Sequence, residues 1–432
     1  MTTLNKALTR PAMIMGIPMV PLVITTGSNI LVAMYTTWWL LLFVPLIWFV
    51  MNRLARRDAH IFGLAFLKFK MRGNRASNTH FGATALLASQ YDDIDITEFI
   101  NNMRLNERMT LSEHIPYSSH IHENVIKNKR SDLVASWELS GTAFECEAED
   151  TLKILTSQIN SMVKAFEGQP LTFYVHNIRE SFMDIFSANS GNKYADKVGE
   201  LYYGSLEKEP FRQNRIFFTV CYNPFVGLDK VERKRMTAGQ KEGALNAALK
   251  EMLEIRETLS LSLSRFSAVS LGAYEENGHV YSSQLSFYDR IVTGKWRKIR
   301  VTRTPFYDIL GSADLFFSSD AGQCNTATEK SFFRGLELKD HSPESSTGMF
   351  DMMLYAPVDY VATQSFTCMA KDEAQKHIKM TLKRLGSSED DAISQQEDLY
   401  IALDMLQAGH ISFGKYHFSL IVNAPTKEQL VK

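Results

Sequence analysis

From Pro11 to Met51 the chain carries no Asp, Glu, Lys, Arg or His, and no other feature limits its architecture as much. Two apolar runs, residues 11–24 and 30–51, flank Thr25-Thr26-Gly27-Ser28-Asn29. The second run meets the roughly 20 apolar residues that a helix needs to cross hydrocarbon. The first holds Pro18 and Pro21 and, at ~1.5 Å per residue, would reach about 21 Å as a helix, so a kinked or half-inserted segment is expected there. Trp38, Trp39 and Trp48 suit interfacial or protein-facing positions. Lys6 and Arg10 precede the stretch, and Arg53, Arg56 and Arg57 follow it. The positive-inside rule then keeps both flanks cytoplasmic and turns the uncharged link outward, as a hairpin. A cleaved signal peptide has one shorter apolar region and a small-residue cleavage site, and a soluble core helix shows polar positions at helical spacing. Neither description fits residues 30–51.

The expected fold class is therefore a membrane α-helical hairpin followed by a soluble α+β domain of mixed sheet and helices. At roughly 100–200 residues per domain, 432 residues imply two or three units. Residues 1–75 form the membrane-anchor segment, whose basic end includes Lys68, Lys70, Arg72 and Arg75. Residues 76–110 are a polar connector with helix expected near 96–104, and residues 111–432 are the α+β domain. Strands are expected at 133–139, 171–176, 216–222, 299–304, 314–319 and 416–422, where β-branched and aromatic residues partly alternate. Helices are expected at 149–166, 238–266, 371–384 and 390–408; in the second, Leu245, Ala248, Met252, Ile255 and Leu259 recur on one face.

Motifs with chemistry are sparse. A net charge of −1 argues against a general nucleic-acid binder. Cys146, Cys221, Cys324 and Cys368 lie too far apart for a zinc site or a disulfide framework to follow. The nearest match to a phosphate loop, residues 322–331, lacks the glycine before Lys330 that lets backbone amides cradle a phosphate. His114, His120 and His122 have loose spacing without a carboxylate or thiol, which reads as loop or edge histidines rather than metal ligands. Asp390-Asp391 after Ser388 reads as a helix N-terminus. The basic run Lys295-Trp296-Arg297-Lys298-Ile299-Arg300 reads as a charged strand edge. No catalytic residue, cofactor-binding residue or metal ligand is assigned.

Residues 7–12, Ala-Leu-Thr-Arg-Pro-Ala, followed by Met15-Gly16-Ile17-Pro18 and later Arg56-Arg57-Asp58, resemble the VirB3-like inner-membrane subunit family of type IV secretion systems. Ile17 stands where that family usually has valine. The remainder resembles the N-terminal domain of the VirB4-like ATPases of the same machines. It does so through Ile115-Pro116-Tyr117-Ser118-Ser119-His120, Asn214 to Thr219, Gly348 to Asp351 and Thr363-Gln364-Ser365-Phe366. Gln395, Gly409, Gly414 and His417 to Leu420 continue the likeness.

The resemblance implies a joined pair of subunits anchored at the bacterial inner membrane, with the soluble part cytoplasmic. Arg10, Pro11, Gly16, Pro18, the three tryptophans, Arg53, Arg56 and Arg57 would serve the anchor. Pro116, Tyr117, residues 363–366, Gln395, Gly409, Gly414 and His417 would serve structure and assembly. Its partners would be membrane lipid, further copies in a hexamer-based assembly and other inner-membrane subunits, without direct nucleic-acid binding. The family's ATPase domain, with ATP and magnesium, is expected after the region of His417–Leu430, so these residues are expected to dock the motor for pilus biogenesis and DNA or protein translocation. The alternative is a self-contained membrane-tethered hydrolase.

Overall fold

Alternating side chains organise the domain. Along Leu133–Leu139, Leu133, Ala135 and Trp137 enter one core while Val134 enters another, so the strand is buried on both faces. The same division continues through its neighbour Phe211–Tyr222, where Phe218, Val220 and Tyr222 face one core and Phe217 the other. The computed structural model describes residues 2–3, 13–14, 17–35, 44–55, 62, 84–86, 110–141, 148–182, 191–206, 211–226, 236–318, 320–338, 344–345, 348–387 and 393–431.

Among these residues twelve strands form one sheet. Its order is Thr84–Leu86, Asp314–Phe317, Gly322–Asn325, Lys330–Glu337, Gly414–Ala424, Asp359–Cys368, Leu171–Phe182, Phe211–Tyr222, Leu133–Leu139, Val125–Asn128, Tyr117–His122, with Val269–Ser270 also pairing Leu133–Leu139. Every pairing is antiparallel. The longest ladder runs from Leu171 opposite Tyr222 to Phe182 opposite Phe211.

Helix Ala238–Leu263 covers one face, burying Ala248, Met252, Ile255, Leu259 and Leu263 against Trp137, Phe173 and Phe218. Its start is fixed by a reciprocal cap: Gln240 N–H donates to Thr237 Oγ1 at 3.3 Å, and Thr237 N–H donates to Gln240 Oε1 at 2.9 Å. Helix Ser283–Thr293 covers the other face through Leu285, Phe287 and Tyr288. Helices Lys371–Ser387 and Ile393–Gln407 form a hairpin with its own core of Ala374, Ile378, Leu385, Leu399 and Leu406.

The expected membrane hairpin is overturned: no helix among the described residues is long and apolar enough to cross a membrane. The helices do not follow the apolar runs. Met19–Tyr35 passes straight through the expected turn, where Thr25 and Thr26 hydroxyls donate back to the carbonyls of Pro21 and Leu22 at 2.8 and 2.6 Å. The polar residues therefore satisfy themselves inside the helix instead of ending it. At ~1.5 Å per residue this helix is about 26 Å long and Val44–Ala55 about 18 Å, both below the ~30 Å of hydrocarbon. The fold is a mixed domain built on a large antiparallel sheet.

Other expectations need adjustment. The strand expected at 299–304 shrinks to Ile299–Arg300, and those at 171–176 and 216–222 lengthen toward Phe182 and back to Phe211. Helix 238–266 ends at Leu263, followed by a short 3-10 turn over Ser264–Phe266. The helix near 96–104 and the start of the one at 390 lie outside the described residues.

Candidate functional site

The family-type residues fall largely at one place, the pair of central strands Asp359–Cys368 and Gly414–Ala424. There Gln364 lies opposite Phe418, Ser365 opposite His417, and Phe366 opposite Tyr416. Each side chain has a structural task. Thr363 Oγ1 meets His176 Nδ1 of the next strand at 2.9 Å, and Tyr416 Oη donates to Gln364 Oε1 at 3.3 Å. A Cβ on Gly414 would collide with the Phe366 ring and sit 2.6 Å from the Thr367 carbonyl, so glycine lets the ring lie across the neighbouring strand. His417 Nδ1 stands 3.4 Å from Glu337 Oε1 on an exposed surface.

Gly409 stops the helical hairpin. It adopts φ +72, and the N–H groups of Gly409 and His410 donate back to Leu406 and Met405 at 3.1 and 2.9 Å, the double bond of a left-handed helix stop. Gln395 is half-buried on that helix. Tyr117 stacks on Tyr288 at 3.9 Å with an interplanar angle of 1°, and burial pushes both phenols above the ordinary tyrosine range. Pro116 accepts the Lys129 N–H at 2.7 Å. Among the anchor candidates, Pro18 is buried in a short strand pairing with Met13, while Trp48 and Arg53 sit on helix Val44–Ala55. Arg10, Pro11, Gly16, Trp38, Trp39, Arg56 and Arg57 lie outside the described residues.

A cluster that the sequence reading missed lies on the face under helix Ser283–Thr293. Glu180 is buried and accepts from Trp296 Nε1 at 2.7 Å, from Arg290 Nε at 3.2 Å and from Gln213 Nε2 at 3.1 Å. Arg215 bonds Glu138 at 2.7 Å and lies 4.1 Å from the Trp296 ring centroid. Asp289, with no exposed side-chain surface, takes Arg297 through two bonds of 2.6 and 2.5 Å. The signal available in the sequence was a charge pair, Asp289-Arg290, inside an otherwise apolar helical pattern.

Beside this cluster opens a cavity of about 280 Å³ lined by Glu138, Arg215, Phe217, Tyr274, Trp296 and Lys298 among others. Its cations are already committed, Arg215 to Glu138, Arg297 to Asp289 and Lys298 to Glu276. The basic run of residues 295–300 is thus largely neutralised in place, since Lys295 also pairs with Glu329 at 2.7 Å. Paired cations of this kind fix a loop onto a sheet; they offer little net charge to an anion.

The remaining candidates resolve similarly. Residues 322–331 lie within a β-hairpin, residues 322–333, in which Gly322 opposes Phe333 and Asn325 opposes Lys330. No group of three His, Cys, Asp or Glu among the described residues is placed to hold a metal. His120 instead bonds Ser282 Oγ at 3.0 Å and packs edge-on against Phe306, and burial lowers its pKa. Burial pushes the thiols of Cys221, Cys324 and Cys368 to about 12, about 11 and about 11, which leaves them protonated and poorly nucleophilic.

Three family models match along the chain. Residues 1–82 match the type IV secretory pathway VirB3-like protein, residues 124–228 the N-terminal domain of the type IV secretion system ATPase VirB4/TrbE, and residues 269–432 the CagE, TrbE, VirB family, a component of the type IV transporter system. Among curated proteins, VirB4 of Brucella melitensis is 28% identical over 337 residues, covering 75% of this chain and 40% of its own length. PtlC of Bordetella pertussis is 26% identical over 334 residues with the same coverage, and VirB4 of Bartonella henselae 25% over 330, covering 74% of this chain and 42% of its own length. The chain spans about 40% of the length of the curated relatives it matches. Along its length the chain thus carries matches to a VirB3-like segment, a VirB4/TrbE N-terminal domain and a CagE/TrbE/VirB domain of type IV secretion systems, joined in one polypeptide.

Proposed function

We propose that this chain is the docking and assembly portion of a type IV secretion energy unit at the bacterial inner membrane, serving pilus biogenesis and transfer of DNA or protein. One observation supports the reading: among the described residues, the VirB3-like segment presents large apolar side chains at its surface. Val23, Ile24, Ile30, Leu31 and Met34 on helix Met19–Tyr35, with Phe49, Val50 and Leu54 on helix Val44–Ala55, are exposed. The two helices meet through Thr25 and Met51, whose hydroxyl and sulfur lie 3.2 Å apart. Apolar faces of this kind seat on a bilayer surface or on other inner-membrane subunits.

The soluble domain then places its sheet beside the membrane and associates with further copies and neighbouring subunits. ATP and magnesium belong, in this reading, to residues outside this chain, so its contribution is positional. Joining both parts in one polypeptide replaces a bimolecular encounter by a high effective concentration. The test is fractionation of cells expressing the chain, with and without Ile24→Asp/Leu31→Asp/Phe49→Asp. The unaltered chain is expected to float with inner membranes and the variant to shift to the supernatant; equal floating of both overturns the reading. Purified chain is expected to show no nucleotide turnover, and turnover that survives affinity and size purification would overturn the positional role.

A further inference from the structure

The helical hairpin Lys371–Ser387 and Ile393–Gln407 has an inner face that is explained and an outer face that is not. Ala374, Ile378, Leu385, Leu399 and Leu406 fill its core. Outward, Tyr400 is 60% exposed, Ile401 59%, Met405 42% and Met380 50%. Helix Ile393–Gln407 is thus apolar on two sides, which in a water-soluble bundle marks a helix buried on both.

Charge is sorted between the two helices. Around Met380 stand Lys376, Lys379 and Lys383, all exposed; around Tyr400 and Ile401 stand Glu397, Asp398 and Asp404, also exposed. None of these six has an ion-pair partner among the described residues. The hairpin is held together elsewhere, by its core and by Lys371 Nζ donating to the Gln407 carbonyl at 2.9 Å. Beyond its first turn, where Asp372 and Glu373 lie and Glu373 takes Lys415 at 3.5 Å, one helix is therefore a basic strip and its neighbour an acidic strip, with apolar side chains on both.

We propose that this outer face is a two-fold contact between copies of the chain, the acidic helix of each copy lying on the basic helix of the other. The arrangement is self-complementary. A two-fold axis parallel to the hairpin sets acid on base twice and brings Met380 of one copy against Tyr400, Ile401 and Met405 of the other. A head-to-tail contact would match one helix pair and leave the other exposed. The inference rests on the proposed self-association and names its surface. With helices about 25 Å long and about 10 Å apart, the face covers on the order of 500 Å² per copy, the lower end of specific interfaces. Association is accordingly reversible and dependent on concentration.

The test is sedimentation velocity of the full chain over a concentration series at low and high salt. Wild type is expected to dimerise, more weakly as salt rises. Lys379→Glu/Lys383→Glu and Glu397→Lys/Asp404→Lys are each expected to weaken self-association by about tenfold or more, because like charges then meet twice. An equimolar mixture of the two variants is expected to return to within about threefold of wild type, since each reversed helix finds its opposite. That recovery also shows that both variants are folded. A wild type that stays monomeric, reversals without effect, or a mixture as weak as its components would each overturn the contact. Membrane flotation by a chain that stays monomeric would overturn this surface and leave the docking reading standing.

Discussion

The two faces of the central sheet are built from the same strands and are stabilised by different physics. Under helix Ala238–Leu263 the core is mainly apolar, with Trp137, Phe173 and Phe218 against Met252 and Leu259. Its polar links, Trp137 Nε1 to Ser260 Oγ at 3.1 Å and Tyr222 Oη to Glu251 at 2.6 Å, are few and free of buried charge. Under helix Ser283–Thr293 the apolar core of Leu285, Phe287 and Ile178 surrounds buried polar groups that bond to one another. Ser136 Oγ meets Thr219 Oγ1 at 2.8 Å and Tyr288 Oη at 3.0 Å, and Gln284 donates to Tyr288 at 2.9 Å. Glu180, Asp289 and Arg290 add buried charge. The apolar face tolerates many side chains of suitable volume, whereas the polar face requires each partner in place. The second face is therefore where one packing of helix on sheet is selected over others.

The largest effect should come from separating the buried ions. Glu180→Leu removes the acceptor of Arg290, whose side chain is almost wholly buried, and should cost about 3–5 kcal/mol in urea unfolding. Glu180→Leu/Arg290→Met should recover the part of that loss due to the uncompensated Arg290 charge, leaving the smaller cost of the Trp296 and Gln213 bonds that Glu180 also accepted. A double variant as unstable as the single would break the comparison, by showing that packing rather than charge dominates both faces. On the apolar face, Leu259→Ala should cost about 2–4 kcal/mol and follow the size of the void alone. Its companion Leu259→Met should stay within about 1.5 kcal/mol of wild type.

A third effect depends on pH. His176 is buried on the polar face, held by Thr363 and packed edge-on against Phe287, and burial pushes its pKa down to about 4. Unfolded, the ring takes up its proton near its ordinary value of 6.5, so between pH 6.5 and about 4 the unfolded chain binds more proton. Stability contributed by the neutral ring is present above pH 6.5 and lost as pH falls toward about 4, by up to about 3 kcal/mol. The difference in unfolding free energy between wild type and His176→Gln should narrow across that window. A difference independent of pH would mean that the ring reaches water.

The apolar face was legible because its signal is periodic. Residues 133–139 and the spacing from Leu245 to Leu259 gave a strand and a helix close to those found. The polar face was not, because Asp289-Arg290 interrupts the apolar pattern of Ser283–Thr293 and its partner Glu180 lies over a hundred residues away. Strand Asp359–Cys368 was not among the expected strands, although residues 363–366 were picked out by resemblance; its polar Thr363, Gln364 and Ser365 break the apolar alternation that marks a strand, and their cross-strand partners are distant in sequence. The membrane hairpin failed for a local reason. Hydropathy counts residues, while the backbone carried the helix through Thr25 and Thr26 by turning their hydroxyls inward. The candidate site was legible as a set of residues and illegible as a task, since the register between strands is a long-range property.

The smallest effect tests whether the apolar face also depends on a placed polar group. Thr237 caps the helix that covers it, and the reciprocal bonds with Gln240 satisfy two backbone or side-chain groups at an exposed end. Because water can replace such bonds, Thr237→Ala should cost only about 1 kcal/mol. Thr237→Ser should be close to neutral, since it keeps the oxygen. If the polar face is specified by its bonds and the apolar face by volume, the loss at Thr237 should add to that of Leu259→Ala without interaction, the two sites being about six helical turns apart. A measured coupling well above about 0.5 kcal/mol would mean that the cap sets the position of the whole helix. The apolar face would then share the dependence on placed partners that otherwise distinguishes the other.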